Sequence, residues 1–366
     1  MTLHDLFSPR HRRFVRGQAS QPGLSLGSMA WRRFRRNGLA VASLVVIGLF
    51  AMVALLGYII TPDSTPHCNQ QYLELATLPP GSKATFICFD PKPSQGNIFT
   101  GRTLPYTAVP IVSSAASADC LHVVPVAGEP FSVHNSRVVK VHTRTFWLGT
   151  DTYGRDVLSM LMIGSRVSLS VGLIAILIAL AIGVTLGALA AYFGGWVDNL
   201  ITWLINVVWA IPTVLLVIAI TFALGKGFWQ VFVAVGLTMW VDIARVVRGQ
   251  VYSIKEKEYV EAARALGFGP LRIIFRHILP NITGPIIVVT ASNFASAILL
   301  EAGLSFLGIG VQPPMPSWGT MVKENYSQIL LDSAYLALLP GAAIMFIVLA
   351  FMLLGNGVRD ALDIKN

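Results

Sequence analysis

The chain has 366 residues, 54% of them apolar and 12% charged, with a formal net charge of +9. Soluble domains carry about a quarter charged residues, so this composition excludes an ordinary soluble enzyme and points to a protein bathed in lipid. Nor is the positive excess a nucleic-acid footprint: much of it lies in the first 38 residues, at Arg10, Arg12, Arg13, Arg16, Arg32, Arg33, Arg35 and Arg36, directly before an apolar run.

Residues 1–38 therefore read as a basic cytoplasmic segment that fixes orientation and binds anionic lipid. The run 39–60 has the length of a tilted membrane span. It is too long for the apolar core of a secretory signal, and Thr61-Pro62-Asp63-Ser64-Thr65 after it lacks a small-x-small cleavage pattern. It reads as a retained first transmembrane helix.

Residues 61–146 are a separate zone. They hold half of the prolines, many Ser and Thr, and valine-rich stretches such as 136–142. That composition predicts a small β-rich or irregular insert. Cys68, Cys88 and Cys120 all fall here. In an oxidising compartment they predict one disulfide and one spare thiol, with the pairing not readable from spacing. No two cysteines lie close enough in sequence to suggest a metal site.

Residues 147–366 carry the remaining apolar runs, at 168–193, 200–223, 229–248, 284–307 and 334–355. Six crossings from a cytoplasmic N-terminus return the C-terminus to the cytoplasm. They leave 61–166 outside and 249–283 inside, in agreement with Lys255, Lys257, Arg264, Arg272 and Arg276. Asp151 is expected to start a helix, with Arg155 and Asp156 at the membrane surface. Gly183 and Gly187 form a small-xxx-small pair for close helix approach. Pro212 predicts a kink in the third run, and Trp196, Trp203, Trp209 and Trp229 sit near predicted ends, where aromatic belts form.

Ionisable and amide residues in spans are the candidates for a path or an inter-subunit contact. Asp242 and Arg245, three apart, suggest a local ion pair near the inner end of the fourth run. Glu301 could face a peptide's amino group, fix the Leu304–Gly308 turn, or meet a partner permease. Asn293 is a candidate for polar glue between helices.

The stretch 255–280 is charged, helical and punctuated by glycine. Tyr259, Ala263 and Leu266 fall along one face of its first half. Gly267 stands where a helix end needs a left-handed residue. Gly269-Pro270 supplies a cap and a first-turn proline. Leu271, Ile274, Phe275 and Ile278 follow at helical spacing, and Leu279-Pro280 ends the unit. Physically this is a hairpin at the membrane face, either resting on lipid or gripped by a soluble partner.

The spacing Glu261-Ala262-Ala263, three residues, Gly267, then Leu279-Pro280 resembles the EAA loop of ABC-importer permeases, with His277 where that pattern has isoleucine. Arg276-His277-Ile278-Leu279-Pro280-Asn281 resembles the dipeptide, oligopeptide and nickel branch. So do the stretches from Trp147 to Gly172 and from Leu299 to Met321, and the basic run before residue 39. About three quarters of the chain is covered, and the insert is not. The resemblance implies an all-α polytopic protein of the bacterial inner membrane. It would have six transmembrane helices of the type I importer permease fold, a small extracytoplasmic insert, and both termini cytoplasmic.

The resemblance further implies that Glu261, Ala262, Ala263, Gly267, Leu266 and Tyr259 couple to two cytoplasmic ABC ATPases. A second homologous permease and an external substrate-binding protein would complete the machine. The sequence has no G-x-x-x-x-G-K-[ST] phosphate loop and no HExxH, so ATP and Mg are expected on the partner chains, with no cofactor, metal or catalytic site on this one. The expected cargo is a di- or oligopeptide. The alternatives are a nickel chelate or another small polar solute, or a non-transport scaffold that works through its insert.

Overall fold

The computed structural model describes residues 26–97, 99–225 and 227–362. Arg10, Arg12, Arg13 and Arg16 lie outside the described residues. A short helix α1 (Leu26–Phe34) precedes α2 (Gly38–Ile60), which Asn37 caps by accepting the N–H of Ala40 at 3.2 Å. The backbone of α2 breaks at Gly57. Arg166 from the next long helix meets the freed carbonyls, donating to Ala54 O at 2.8 Å and Leu55 O at 3.2 Å. A kink is tolerated in a span only where such a donor re-satisfies the backbone.

The insert is β-rich. Its strands are β1 (Ser82–Phe89), the short pair β2 (Gly96–Asn97) and β3 (Gly101–Arg102), β4 (Thr107–Ala116), β5 (Cys120–Pro125), β6 (Phe131–His134) and β7 (Val138–Phe146). The main sheet is antiparallel in the order β6-β5-β4-β1-β7. Alternation along β1 sends Phe86 to one face, with Tyr72, Leu75 and Phe146, and Ile87 to the other, with Ile111, Val123 and Val133. All three cysteines are free thiols, which corrects the expected disulfide. Cys68 is buried and donates to Asp63 O at 3.0 Å, whereas Cys88 lies next to the end of β1 and Cys120 begins β5 two strands away.

The insert is bolted to the helices. Thr150 Oγ1 donates to Leu75 O and accepts from Leu78 N, and Tyr335 OH donates to Leu78 O at 2.8 Å. Buried Arg155 bridges Asp151 and Glu324, both at 2.5 Å. Asp156, not Asp151, caps the following helix by accepting Ser159 N–H; Asp151 instead folds its own turn, accepting from Tyr153 and Arg155.

Helix α3 (Val157–Phe193) starts eleven residues before the apolar run that announced it. The chain then forms α4 (Gly195–Ala210), α5 (Thr213–Leu224) and α6 (Phe228–Ile254). The expected kink at Pro212 is a full break, with α4 and α5 bent by 95°. Among the described residues, α2, α3, α6 and the later helices Thr283–Phe306 and Tyr335–Leu362 are long and apolar enough to cross a membrane; the bent pair gives at most one further span. The remaining helices are α7 (Glu258–Ala265), α8 (Pro270–Ile273), α9 (Thr283–Phe306), α10 (Trp318–Asn325) and α11 (Tyr335–Leu362).

The core is the seam between α3 and α6. A Cβ on Gly183 would stand 2.7 Å from Trp240 O and Ile243 Cβ, and one on Gly187 2.5 Å from Ala244 O. Gly236 returns the contact from α6, against Ala175 O and Ile178. Residue numbers rise together along both helices, so they run parallel, and the α4–α5 pair carries the chain back between their opposite ends. Backbone approach this close needs glycine on the contact face.

Candidate functional site

The hairpin begins where α6 ends. Lys255 Nζ donates to Ala191 O at 2.8 Å, which ties it to the last turn of α3. Helix α7 closes with Gly267 at φ +78°, Gly267 N–H bonding Arg264 O and Phe268 N–H bonding Ala263 O. This is the glycine-terminated helix end expected from the sequence. Pro270 opens α8 at its first position. From Ile274 to Ile278 the turn widens before Leu279–Asn281 tightens it again.

One face of the hairpin is embedded. Val260, Ala263, Ile273, Ile274 and Ile278 are buried in the core. The opposite face exposes large apolar side chains: Leu266 is 73% exposed, Phe275 64%, Leu271 60% and Tyr259 43%. Glu261, Ala262 and Gly267 lie on the exposed side as well. Two expectations are thereby corrected. Ala263 packs inward while Tyr259 and Leu266 point outward, so the three do not share a face. Likewise Ile274 and Ile278 bury while Leu271 and Phe275 do not, because the widened turn breaks the 3.6-residue period. Burying such an apolar set against a partner contributes roughly 1.5–3 kcal/mol per side chain before association costs.

A second concavity of about 460 Å3 opens between α4–α5, α6 and α9, lined among others by Trp209, Thr213, Thr238, Asp242, Ser296 and Leu299. Asp242 and Arg245 do not pair. Arg245 stacks on Trp209, 4.1 Å from the ring centre, and Asp242 makes no ion pair among the described residues. The ion pair at this end joins Arg248 to Asp198 on α4, at 2.5 and 2.7 Å. Sequence spacing missed it because the two residues are fifty apart.

Glu301 is fully buried. Its carboxylate accepts from Ser168 Oγ of α3 at 3.0 Å and Ser305 Oγ at 2.8 Å, while Ser305 Oγ accepts Val311 N–H. It fixes the turn after α9, one of the roles open to it. Buried Asn293 reaches from α9 to Met239 O of α6 at 3.4 Å, as polar glue would.

Residues 183–365 match the family model of binding-protein-dependent transport system inner membrane components. Residues 25–80 match that of the N-terminal transmembrane domain of oligopeptide transport permease C. The glutathione transport system permease protein of Pectobacterium atrosepticum is 43% identical over 60% of this chain and 72% of its own length. The dipeptide transport system permease protein of Alkalihalophilus pseudofirmus has the same identity and coverage. Its Bacillus subtilis namesake is 34% identical over 94% of this chain and 88% of its own. Among solved structures, an inward-facing MetNI methionine ABC transporter matches 56% of this chain at 18% identity with a TM-score of 0.47. The chain belongs to the family of binding-protein-dependent transport system inner membrane components, and is an ABC-importer permease subunit rather than an enzyme.

Proposed function

We propose that this chain and a second, homologous permease form the path by which di- or oligopeptides, delivered by an external binding protein, cross the bacterial inner membrane. The 255–280 hairpin seats on one of two cytoplasmic ATPases, which hold the ATP and Mg, and the second permease meets the other; this chain binds neither nucleotide nor metal. The observation that carries the reading is the division of the hairpin. Its inner face is part of the bundle core, while Tyr259, Leu266, Leu271 and Phe275 stand exposed beside Glu261. An exposed apolar patch of that kind marks a protein or membrane contact, and the carboxylate of Glu261 within it favours a protein. An element built this way transmits movement of its seat directly into α6 and α9.

Six crossings agree with the parallel α3 and α6, since the bent α4–α5 pair must span the bundle to join them. Both termini are then cytoplasmic and the insert external. Arg32, Arg33, Arg35 and Arg36 gather at the hairpin end, where Arg33 lines a crevice with Pro280 and Thr283, as the positive-inside rule asks. Anionic lipid is the counter-charge for the exposed Arg32, Arg35 and Arg36. The relatives' names favour peptide cargo over a nickel chelate or a scaffold role. The crevice beside Asp242 is the stretch of wall offered to the path.

Uptake tests the proposal. Membrane vesicles carrying the complete transporter should accumulate a labelled dipeptide only with ATP and binding protein present. Phe275→Asp should abolish uptake while the chain remains in the membrane. Undiminished uptake by that variant would overturn the role given to the hairpin.

A further inference from the structure

We propose that Asp242 receives the α-ammonium group of the transported peptide, in the crevice between α4–α5, α6 and α9. The inference rests on the reading of this chain as a peptide permease and names the group that its path wall recognises.

Helix α6 runs on past the apolar stretch that announced it, which leaves Asp242 at its middle, fourteen residues after Phe228 and twelve before Ile254. At a rise of about 1.5 Å per residue it lies about 20 Å from either end of the helix, near the depth of the bilayer centre. A charge is costly at that depth unless it faces a water-filled cavity or a counter-charge. Asp242 is exposed and lines the crevice of about 460 Å3, a volume in the range of small-molecule sites. The backbone also marks the crevice as wet. Helices α4 and α5 part at Ile211 and Pro212 with a bend of 95°, and Trp209 and Thr213, on either side of the break, both line the crevice. Non-helical backbone at membrane depth is tolerated only where it is buried in protein or lines a water-filled cavity, and Ile211, Pro212 and Thr213 are all exposed on this chain.

The charge in the crevice is unbalanced. Among the described residues Asp242 is the one ionisable side chain of its lining, and its carboxylate has neither an ion pair nor a hydrogen bond. Arg245, one turn on, stands over the Trp209 ring at 4.1 Å, and Arg248, a further turn on, is paired with Asp198. The facing elements contribute Thr213 from α5 and Ser296 from α9, both uncharged. A divalent cation needs several oxygen ligands, which a single carboxylate does not supply. A phospholipid head group stays at the interface, far from this depth. A neutral solute leaves the charge unmet. An ammonium group meets it with a charge-assisted hydrogen bond, and a peptide carries one at its amino terminus near pH 7. With no basic side chain in the lining, the crevice takes the amino end and leaves the peptide's carboxylate to the water of the path.

The binding protein makes its own selection among peptides, so the test varies this chain and keeps the peptide fixed. The complete transporter, reconstituted in liposomes, is supplied with binding protein, ATP and labelled L-alanyl-L-alanine, and the peptide delivered per ATP hydrolysed is measured. Normalising to ATP discounts complexes that fail to assemble. Asp242→Asn should lower the ratio about tenfold, because a cycle that does not hold the released peptide delivers nothing and one charge-assisted bond is gone. Asp242→Glu keeps the carboxylate and should retain most of the ratio. Equal loss in both variants makes shape rather than charge the requirement, and overturns the proposal. Loss of the second permease from the purified Asp242→Asn complex also overturns it, since the carboxylate then pairs with a basic group of that partner. So does an undiminished ratio in Asp242→Asn, which leaves the peptide-permease reading intact. A parent transporter that carries no dipeptide overturns that reading and this one together.

Discussion

The seam between α3 and α6 allows one substitution to be judged by its sign. A Cβ on Gly187 would stand 2.5 Å from Ala244 O and 3.0 Å from Val247 Cβ. The first of these is backbone, which cannot turn aside as a flexible side chain would, so the helices must separate. Overpacking of that kind costs about 1–3 kcal/mol, and a backbone collision belongs in the upper half of the range. Replacing glycine by alanine in a helix returns about 1 kcal/mol through propensity. Gly187→Ala should therefore lose about 1–2 kcal/mol net. Gly249 lies in α6 with nothing within 4 Å of its Cβ position. Gly249→Ala meets no collision there and should gain up to about 1 kcal/mol. The two variants should thus differ by roughly 2–3 kcal/mol, with opposite signs, in reversible unfolding of the purified chain followed by circular dichroism in mixed micelles. Equal shifts in the same direction would refute the claim that glycine is needed for helix contact here.

Other consequences concern single side chains. Native maleimide labelling should modify half-buried Cys120 first and spare Cys68 and Cys88, whose thiols burial pushes up; a mass two hydrogens light would instead reveal the disulfide that the structure lacks. Glu301→Ala strips the acceptor from Ser168 and Ser305 and should cost about 2–4 kcal/mol in the same unfolding assay. A well-folded Glu301→Ala with altered cargo preference would place that residue on the path after all. Burial, with Lys140 and Arg144 nearby, lowers His142, so the folded state favours its neutral form. The stability this gives is complete above the unfolded value of about 6.5 and is lost as pH falls from there toward the depressed folded value. His67 is lowered by burial and acts in the same direction, so the measurable effect is a flatter melting-temperature profile in His142→Gln than in the parent; superimposable profiles would contradict it.

Features set by the local chain were legible in the sequence. Gly267 reads as a left-handed helix end, Pro270 as a helix start and Gly183 with Gly187 as a close-approach pair, because each depends on backbone geometry within a few residues. Features set by tertiary partners were not. Glu301 looks functional by default as a carboxylate in a span, and what satisfies it includes Ser168, in a different helix. Asp242 and Arg245 look paired by spacing, yet Arg245 finds Trp209, and Arg248 finds Asp198 fifty residues away on α4. The second half of the hairpin misled for a third reason: the turn widens between Ile274 and Ile278, and a strict helical period then assigns Leu271 and Phe275 to the wrong side. The β-rich character of the insert followed from its valines and prolines. Its strand order, with β1 between β4 and β7, left no mark a single sequence could show.

Energy coupling turns on what covers the outer face of the hairpin. A photo-crosslinking amino acid placed at Leu266 and, separately, at Phe275 would report that neighbour in native membranes, with the lipid-type exposed position Leu49 of α2 as reference. Crosslinks from both hairpin positions to an ATP-binding subunit, absent at Leu49, are the predicted result. Crosslinks to lipid alone from Leu266 and Phe275 would contradict the account and leave the hairpin as an element resting on the membrane.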